Sequence, residues 1–280
     1  MAASSTIESQ KKGLEAIPGE IPRGQSLQDL TIVETADPET GEVKYTTFYL
    51  VTSEDRLYFG QLFKNKKEIT PEEYYSALEH VPDSEIFPEA PEDIALTIAP
   101  DDLNDASAFM KRPGLVSYDE DMKGTGFVRK EIFQETIAME QVSKTPHAHI
   151  IRYFGCRVRR GRIRCIFLER LGQALMQYSH DPEFAQLDKA KFVKALESAV
   201  AHIHSLGLAH NDINPHNIMV KDGMPVLIDF GACQPFGGRL QSVGTPGWCM
   251  DDIRTSELKH DTYGLQKVRE WLETGKLPVE

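Results

Sequence analysis

The chain has 280 residues, with 31 Lys and Arg against 43 Asp and Glu for a formal net charge of −12, and 40% of its residues are hydrophobic. That length buries a sizeable core, as one large domain or two modest lobes with appendages, and the acidic balance disfavours non-specific attraction to nucleic acid or an anionic membrane. Cys156, Cys165, Cys233 and Cys249 form no CxxC pair, "MAASSTIESQKKGLEAIPGE" lacks the apolar core of a signal peptide, and no run approaches the roughly 18 apolar residues of a membrane span; the expectation is a soluble, intracellular, cytoplasmic chain with reduced thiols and neither membrane nor nucleic acid as partner.

Residues 1–28 carry few large apolar side chains, which cannot offset the entropy of ordering, so they read as a disordered tail. Two β-rich runs, 45–51 and 56–62, flank the turn formers Ser53, Glu54 and Asp55 and read as a hairpin. In "TPEEYYSALEHV" Thr70 is a candidate N-cap, Pro71 sits at the first helical position and acids fill the first turn, which predicts a short helix. The proline-rich stretch 82–100 reads as a linker.

From Phe109 onward the pattern changes. "FVRKEIFQETIAMEQV" spaces Ile132, Phe133, Ile137, Met139 and Val142 in a helical rhythm. "HIIRYFGCRVRRGRIRCIFLERL" reads as two strands about Arg160-Gly161, where Arg157, Arg159, Arg160, Arg162 and Arg164 suit a solvated, charge-protected edge better than a docking surface. "DKAKFVKALESAVAHIHSLG" is the clearest helix, with Phe192, Val193, Leu196, Val200 and Ile203 on one face, Asp188 to cap its start and Gly207 its end. "NIMVKDGMPVLID" is a hairpin closed by Asp222-Gly223, and "HDTYGLQKVREWLETG" a last helix that packs Tyr263, Leu265, Val268 and Leu272 and closes at Gly275.

The "NIMVKDGMPVLID" hairpin sets Asn217 at the mouth of one strand and Asp229 at the end of its neighbour, so both side-chain oxygens face one small volume. A carboxylate and an amide carbonyl there suit Mg²⁺, which takes a few protein oxygens and completes its octahedron with water and phosphate. Asp212 lies one loop back, placed to accept a hydrogen bond from a substrate hydroxyl. Positioning and charge neutralisation are most of what phosphoryl transfer demands.

These residues carry a resemblance. "HNDINPHN" is similar to the protein-kinase catalytic loop H-R-D-L-K-P-E-N, and Asp229-Phe230-Gly231 to its D-F-G triplet. "AFMKRP" resembles V-A-I-K, "HAHIIRYFG" resembles H-P-N-I-V-x-L-x-G, "VGTPGW" resembles the end of an activation segment, and Asp261 in "HDTYGL" resembles the aspartate that anchors the catalytic loop. In order, over about residues 105–275, the combination resembles a group of divergent, largely fungal protein-kinase-like proteins.

The resemblance implies an α+β, two-lobed protein-kinase-like fold. A small β-rich N-lobe would occupy 105–171, extended by the hairpin and helix of 29–104, with a helical C-lobe over 172–280, shortened after the helix that carries Asp261. It implies Asp212 as catalytic base, Asn217 and Asp229 as Mg²⁺ ligands, and Lys111 on the phosphates of ATP, held by Glu135. Glu131 and Lys123 remain alternatives for that pair. Leu168 would be the gatekeeper, with Glu169, Arg170 and Leu171 the hinge whose backbone groups bind adenine. His210, Phe230, Met139 and Tyr153 would be packed spine members.

Three departures bear on activity. No glycine-rich loop precedes Lys111, Asn211 replaces the arginine that clamps a phosphorylated loop, and Asn214 replaces the lysine that steadies the γ-phosphate. The expected function is an ATP- and Mg²⁺-dependent phosphotransferase acting on a hydroxyl of a protein or small molecule. A pseudokinase module comes second, and a small-molecule kinase of the aminoglycoside or choline type third.

Overall fold

The computed structural model describes residues 27–278, apart from 38–39, 105, 116–117, 119–121, 241–243 and 252–253. The tail expected over 1–28 thus falls, up to residue 26, outside the described residues. Two compact units are present, Met1–Asp83 with Leu115–Asp121, and Ser84–Gly114 with Met122–Glu280.

In the first unit, β1 (Leu30–Ala36), β2 (Val43–Val51) and β3 (Leu57–Leu62) are followed by helix α1 (Pro71–Ser76) and β4 (Glu79–Val81). The four strands form one antiparallel sheet in chain order. Asp55 takes a left-handed φ of 59° in the β2–β3 turn, which Thr52 closes with its N–H on the Arg56 carbonyl and its hydroxyl accepting the Arg56 N–H. Helix α1 starts on a reciprocal cap, in which the Thr70 hydroxyl accepts the Glu73 N–H and the Glu73 carboxylate accepts that of Thr70. Tyr74 of α1 then meets Phe48 edge-on at 4.7 Å, over a core of Leu30, Leu50, Tyr58, Ile69 and Leu78.

A single turn, α2 (Asp83–Ile86), precedes the body of the second unit, which holds β5 (Ala108–Lys111), α3 (Phe127–Val142), β6 (Tyr153–Arg159) and β7 (Arg162–Glu169). These strands form an antiparallel sheet in the order β5-β7-β6. Then come β8 (Gln173–Ala174), α4 (Leu175–Tyr178), α5 (Lys189–Ser205), β9 (Leu208–Ala209), β10 (Ile218–Lys221), β11 (Met224–Leu227), β12 (Gln234–Pro235) and α6 (Leu258–Thr274). The architecture is α+β as expected, β-rich at its N-terminal side and helical towards its C-terminal side. Asp188 caps α5 by accepting the Lys191 N–H, and Phe192, Leu196, Val200 and Ile203 sink into a core that also takes Val268, Trp271 and Leu272 of α6. No described helix is long and apolar enough to cross a membrane.

Two expectations are corrected here. The stretch 82–100 is more than a linker: from Ser84 onward it belongs to the second unit and hydrogen-bonds to the β5-β7-β6 sheet at two places, the start of β7 that β5 does not reach and the edge strand β6. Ile163 donates to the Pro88 carbonyl and Ala90 to that of Gly161, while Cys156 and Ala99 exchange bonds with Thr97 and Cys156 on the other side. The second correction concerns two of the arginines: Arg159 and Arg160 are exposed, but Arg162 and Arg164 do not belong to a solvated edge. Arg164 is 1% exposed with its guanidinium 4.2 Å from the Phe87 ring, and Arg162 grips the Phe87 carbonyl and the Glu89 carboxylate. They bind the 84–90 stretch down, guanidinium on aromatic face and fork on oxygen.

Gly155 makes the approach of 97–99 possible. It sits at φ 121°, where the β6–β7 register shifts, and a Cβ there would stand 2.5 Å from the Thr97 carbonyl oxygen and 2.7 Å from the Ala99 nitrogen. Gly155→Ala is expected to destabilise the chain by about 2 kcal/mol or more, combining backbone strain with a clash against main chain. Urea unfolding followed by circular dichroism reads the loss, and a midpoint equal to that of wild type would contradict it.

Candidate functional site

Strand β5 delivers Lys111 and helix α3 delivers Glu135, a buried residue on the face that carries Ile132 and Met139. The Lys111 Nζ lies 2.7 Å from Glu135 Oε1 and 3.0 Å from Asp229 Oδ1, so one ammonium joins strand, helix and the D-F-G triplet. Burial alone would lower the Lys111 pKa, but the charges of Glu135 and Asp229 reverse this and hold it above the ordinary lysine value. Burial pushes the Glu135 carboxyl up against the pull of Lys111. Burial also works to raise Asp229, yet the Lys111 charge and hydrogen bond win and its carboxyl is held low.

Of the two glutamates left open by the sequence, Glu135 is the one that holds Lys111. Glu131, one turn earlier on α3, stays close enough to feel both Asp229 and Lys111, and burial followed by repulsion from Asp229 raises its pKa.

The loop of residues 210–217 is built around Asp212. Its Oδ1 accepts from the Thr245 N–H and hydroxyl, both at 2.9 Å, and from Asn214 Nδ2 at 3.0 Å. Its Oδ2 accepts from Asn217 Nδ2 at 2.8 Å. Asn214 is 1% exposed and its amide is spent, Nδ2 on Asp212 and the Thr245 hydroxyl and Oδ1 on the His216 N–H. Asn217 ties to the neighbouring strand by accepting the Ile228 N–H on its carbonyl, directly before Asp229.

Beneath the loop, Asp261 of α6 is fully buried and accepts the N–H groups of His210 and Asn211 and Nε2 of His204. Asn211, at φ 64°, sends its amide to the carbonyls of Ala209 and Ala232 and the hydroxyl of Ser256, and its oxygen faces His260 Nδ1. The His210 ring meets Phe230 edge-on at 5.1 Å. Met139, Tyr153 and Phe230 share one buried cluster.

A cavity of about 390 Å³ opens beside Lys111 and Asp229, lined also by Phe109, Leu168, Glu169, Arg170, Leu171 and Met219. The Glu169 carboxylate is bound to Lys221 at 2.6 Å and its N–H donates to the Arg152 carbonyl. Asp212 and Asn217 are not among the cavity's lining and lie on the loop beyond it.

This ordered set, from Lys111 to the helix of Asp261, coincides with a family match: the protein kinase domain matches residues 111–265, more than half of the chain. The chain belongs to the protein kinase domain family. Within that family, 145 residues are 31% identical to the serine/threonine-protein kinase/endoribonuclease IRE2 of Homo sapiens, covering 46% of this chain and 15% of that protein. Over 122 residues it is 34% identical to the serine/threonine-protein kinase/endoribonuclease IRE1 of Hypocrea jecorina, covering 36% and 10%. The serine/threonine-protein kinase PknG of Mycolicibacterium smegmatis is 28% identical over 88 residues, 31% of this chain and 12% of that protein. The matches thus span only a small part of the length of these relatives.

Sequence reasoning on the kinase domain passed over three residues that the structure brings in. Thr245 locks Asp212, and the G-T-P signature was the available signal. Glu140 is buried and accepts from the Thr97 N–H and hydroxyl and from the Tyr153 hydroxyl, a set no local pattern announces. His204 on Asp261 lay hidden in the helix face.

The lowered Asp229 pKa carries a pH signature. A carboxyl that is more acidic folded than unfolded adds stability above its ordinary value, 3.8, and loses it as pH falls through the folded value. The stability gap between wild type and Asp229→Asn is therefore expected to shrink as urea unfolding is repeated from pH 6 down to about pH 3. A gap that stayed constant or widened towards acid would refute the Lys111–Asp229 attraction as its source.

Proposed function

We propose that this kinase domain is a phosphotransferase that binds ATP with Mg²⁺ and passes the γ-phosphate to a hydroxyl. The observation that carries this reading is the double grip of Lys111 on Glu135 and Asp229 beside a cavity. Lys111 would turn to the phosphate oxygens, its cation kept available by the two carboxylates. Adenine would meet the hinge backbone at Glu169 and Leu171; among the described residues the Leu171 N–H has no internal acceptor.

The donor chemistry fits the metal. Asp229 is 44% exposed and keeps Oδ2 free of Lys111, and Asn217, its amide N–H spent on Asp212, has Oδ1 left over. A carboxylate and an amide oxygen are the hard donors Mg²⁺ takes, and when bound it would neutralise charge on the phosphates. Asn217 and Asp229 would hold it.

Asp212 suits the base by its hydrogen-bond count. A carboxylate oxygen offers two lone pairs; Oδ1 already takes three donors, whereas Oδ2 takes one. Oδ2 is thus the atom for the acceptor hydroxyl, and Thr245 and the two asparagines fix its aim. Asn214 supports a second reading, a nucleotide-binding module without turnover, since a buried and fully engaged amide brings no positive charge to the γ-phosphate.

Turnover of ATP in the presence of Mg²⁺ and candidate hydroxyl acceptors tests the two together. Asp212→Asn is expected to lower the rate by about 10²- to 10⁴-fold while Mg·ATP still raises the melting temperature. A variant as fast as wild type removes Asp212 as base. A melting shift with no turnover by wild type favours the module, and no shift removes the nucleotide.

A further inference from the structure

Three imidazole rings gather where the loop after α3 meets α5. This loop, residues 143–152, leads from α3 to β6, and β11 holds its backbone: Ile151 donates to the Leu227 carbonyl and Leu227 to that of His149. Among the described residues, each side-chain hydrogen bond between the loop and α5 or β11 runs through a histidine. His202 Nε2 of α5 lies 2.7 Å from the Thr145 carbonyl, His147 Nε2 3.1 Å from the Ser198 hydroxyl of α5, and His149 Nδ1 3.1 Å from the Pro225 carbonyl of β11. The His147 ring stacks on His202 at 5.2 Å and meets His149 edge-on at 5.6 Å.

The partners of each ring assign its hydrogens. A carbonyl oxygen only accepts, so His202 Nε2 and His149 Nδ1 each carry a hydrogen. His147 Nδ1 accepts the His149 N–H at 3.2 Å, so that nitrogen carries none and the hydrogen of the neutral ring sits on Nε2, towards Ser198. A second proton on His147 has only Nδ1 to go to. It would break the bond from the His149 N–H and set a cation beside two further imidazoles. The charges that act on His147 are those of His202 from α5 and His149 from its own loop, with no carboxylate among them, and β11 has no titratable side chain. Glu197, next to Ser198, is held by Arg269 of α6 instead.

We propose that this histidine cluster is an acid-sensitive latch, which fastens the loop after α3 to α5 and β11 and is released when His147 takes up a proton. Helix α3 carries Glu135 and β11 runs on to Asp229, so the latch joins the two elements that bring carboxylates to Lys111. It stands apart from the nucleotide reading, since none of its groups touches the cavity. Burial, then the charges of His202 and His149, hold the His147 pKa below its ordinary 6.5. The unfolded chain therefore takes up the proton first. Stability is complete above 6.5 and is lost as pH falls from there through the lower folded value.

The experiment follows thermal melting and amide hydrogen exchange of the full chain from about pH 8 to about pH 5, in wild type, His147→Asn and His147→Gln. Neither variant titrates in this range. Asparagine keeps an acceptor near the place of Nδ1, and glutamine keeps a donor that reaches towards Ser198. The remaining histidines are common to all three chains, so the difference between them reports on His147. Wild type is expected to lose about 2 °C more of its melting temperature towards acid than either variant. Protection of residues 143–152, corrected for intrinsic exchange, is expected to fall with pH in wild type and to stay level in the variants. Parallel melting curves in wild type and the variants would overturn the proposal, as would a steeper loss in the variants. A melting difference with unchanged protection of 143–152 would overturn the latch, because the proton would then act elsewhere. Wild type also decides by itself: protection of 143–152 that holds down to about pH 5 overturns the latch whether or not the variants fold.

Discussion

The arrangement of this site depends on one buried carboxylate. Asp261 is 0% exposed and accepts two adjacent backbone N–H groups, those of His210 and Asn211, as well as His204 Nε2. Adjacent N–H groups converge on a single acceptor only if the chain turns sharply, and Asn211 supplies the turn at φ 64°, a region that asparagine tolerates better than most residues. Removing the acceptor would leave these buried donors unpaired, at about 1–3 kcal/mol each. The constraint reaches outward from there. With His210 pinned, its ring bonds the Ile228 carbonyl and lies against Phe230, and Asp212 is turned back towards Asn217. Because α6 packs Val268, Trp271 and Leu272 into the same core as α5, the loop inherits the rigidity of two helices.

A second constraint is electrostatic. Lys111 serves two carboxylates at hydrogen-bond distance, Glu135 within the protein and Asp229 at the cavity, and Glu131 stands nearby with its pKa raised. One cation against two buried or half-buried acids leaves a local negative excess. Under the proposed reading, a divalent cation, or a ligand that brings one, would relieve it. Asp229 meanwhile sits at φ 60°, a left-handed posture that aspartate, like asparagine, adopts more readily than most residues with a Cβ. The left-handed turn and the excess charge meet at the residue that borders the cavity.

What the sequence made legible, and what it hid, follows from the range of the interactions. The residues 210–217 and Asp229-Phe230-Gly231 were legible because the family pattern they match is fixed in spacing along short stretches. Lys111 and Glu135 are far apart in the chain, and helical periodicity cannot tell Glu135 from Glu131, one turn away on the same face of α3; only the distance to Lys111 decides. The stretch 82–100 was hidden by its prolines, which erase strand alternation, although the carbonyls of Pro88 and Thr97 still accept from the sheet. Arg164 was misread for a related reason. Its partner Phe87 lies far back in the chain, so nothing in the local charge pattern marked it as buried.

Asn214 shows how geometry and charge separate at one position. In the pattern this loop resembles, a lysine stands there. The amide keeps the linking role, donating to Asp212 Oδ1 and to the Thr245 hydroxyl while its own oxygen takes the His216 N–H. Every hydrogen-bonding atom of the side chain is used and the residue is 1% exposed, so it cannot swing out to serve a phosphate. A lysine would bring a long stem and a full charge to the same volume, whereas asparagine brings a rigid, neutral bracket. The aim of Asp212 is therefore maintained without the cation that would steady a transferring group. Under the proposed reading this chain has retained the part of the site that positions an acceptor and given up part of what stabilises charge on the donor. Lys111 and a metal on Asn217 and Asp229 would then carry that charge between them.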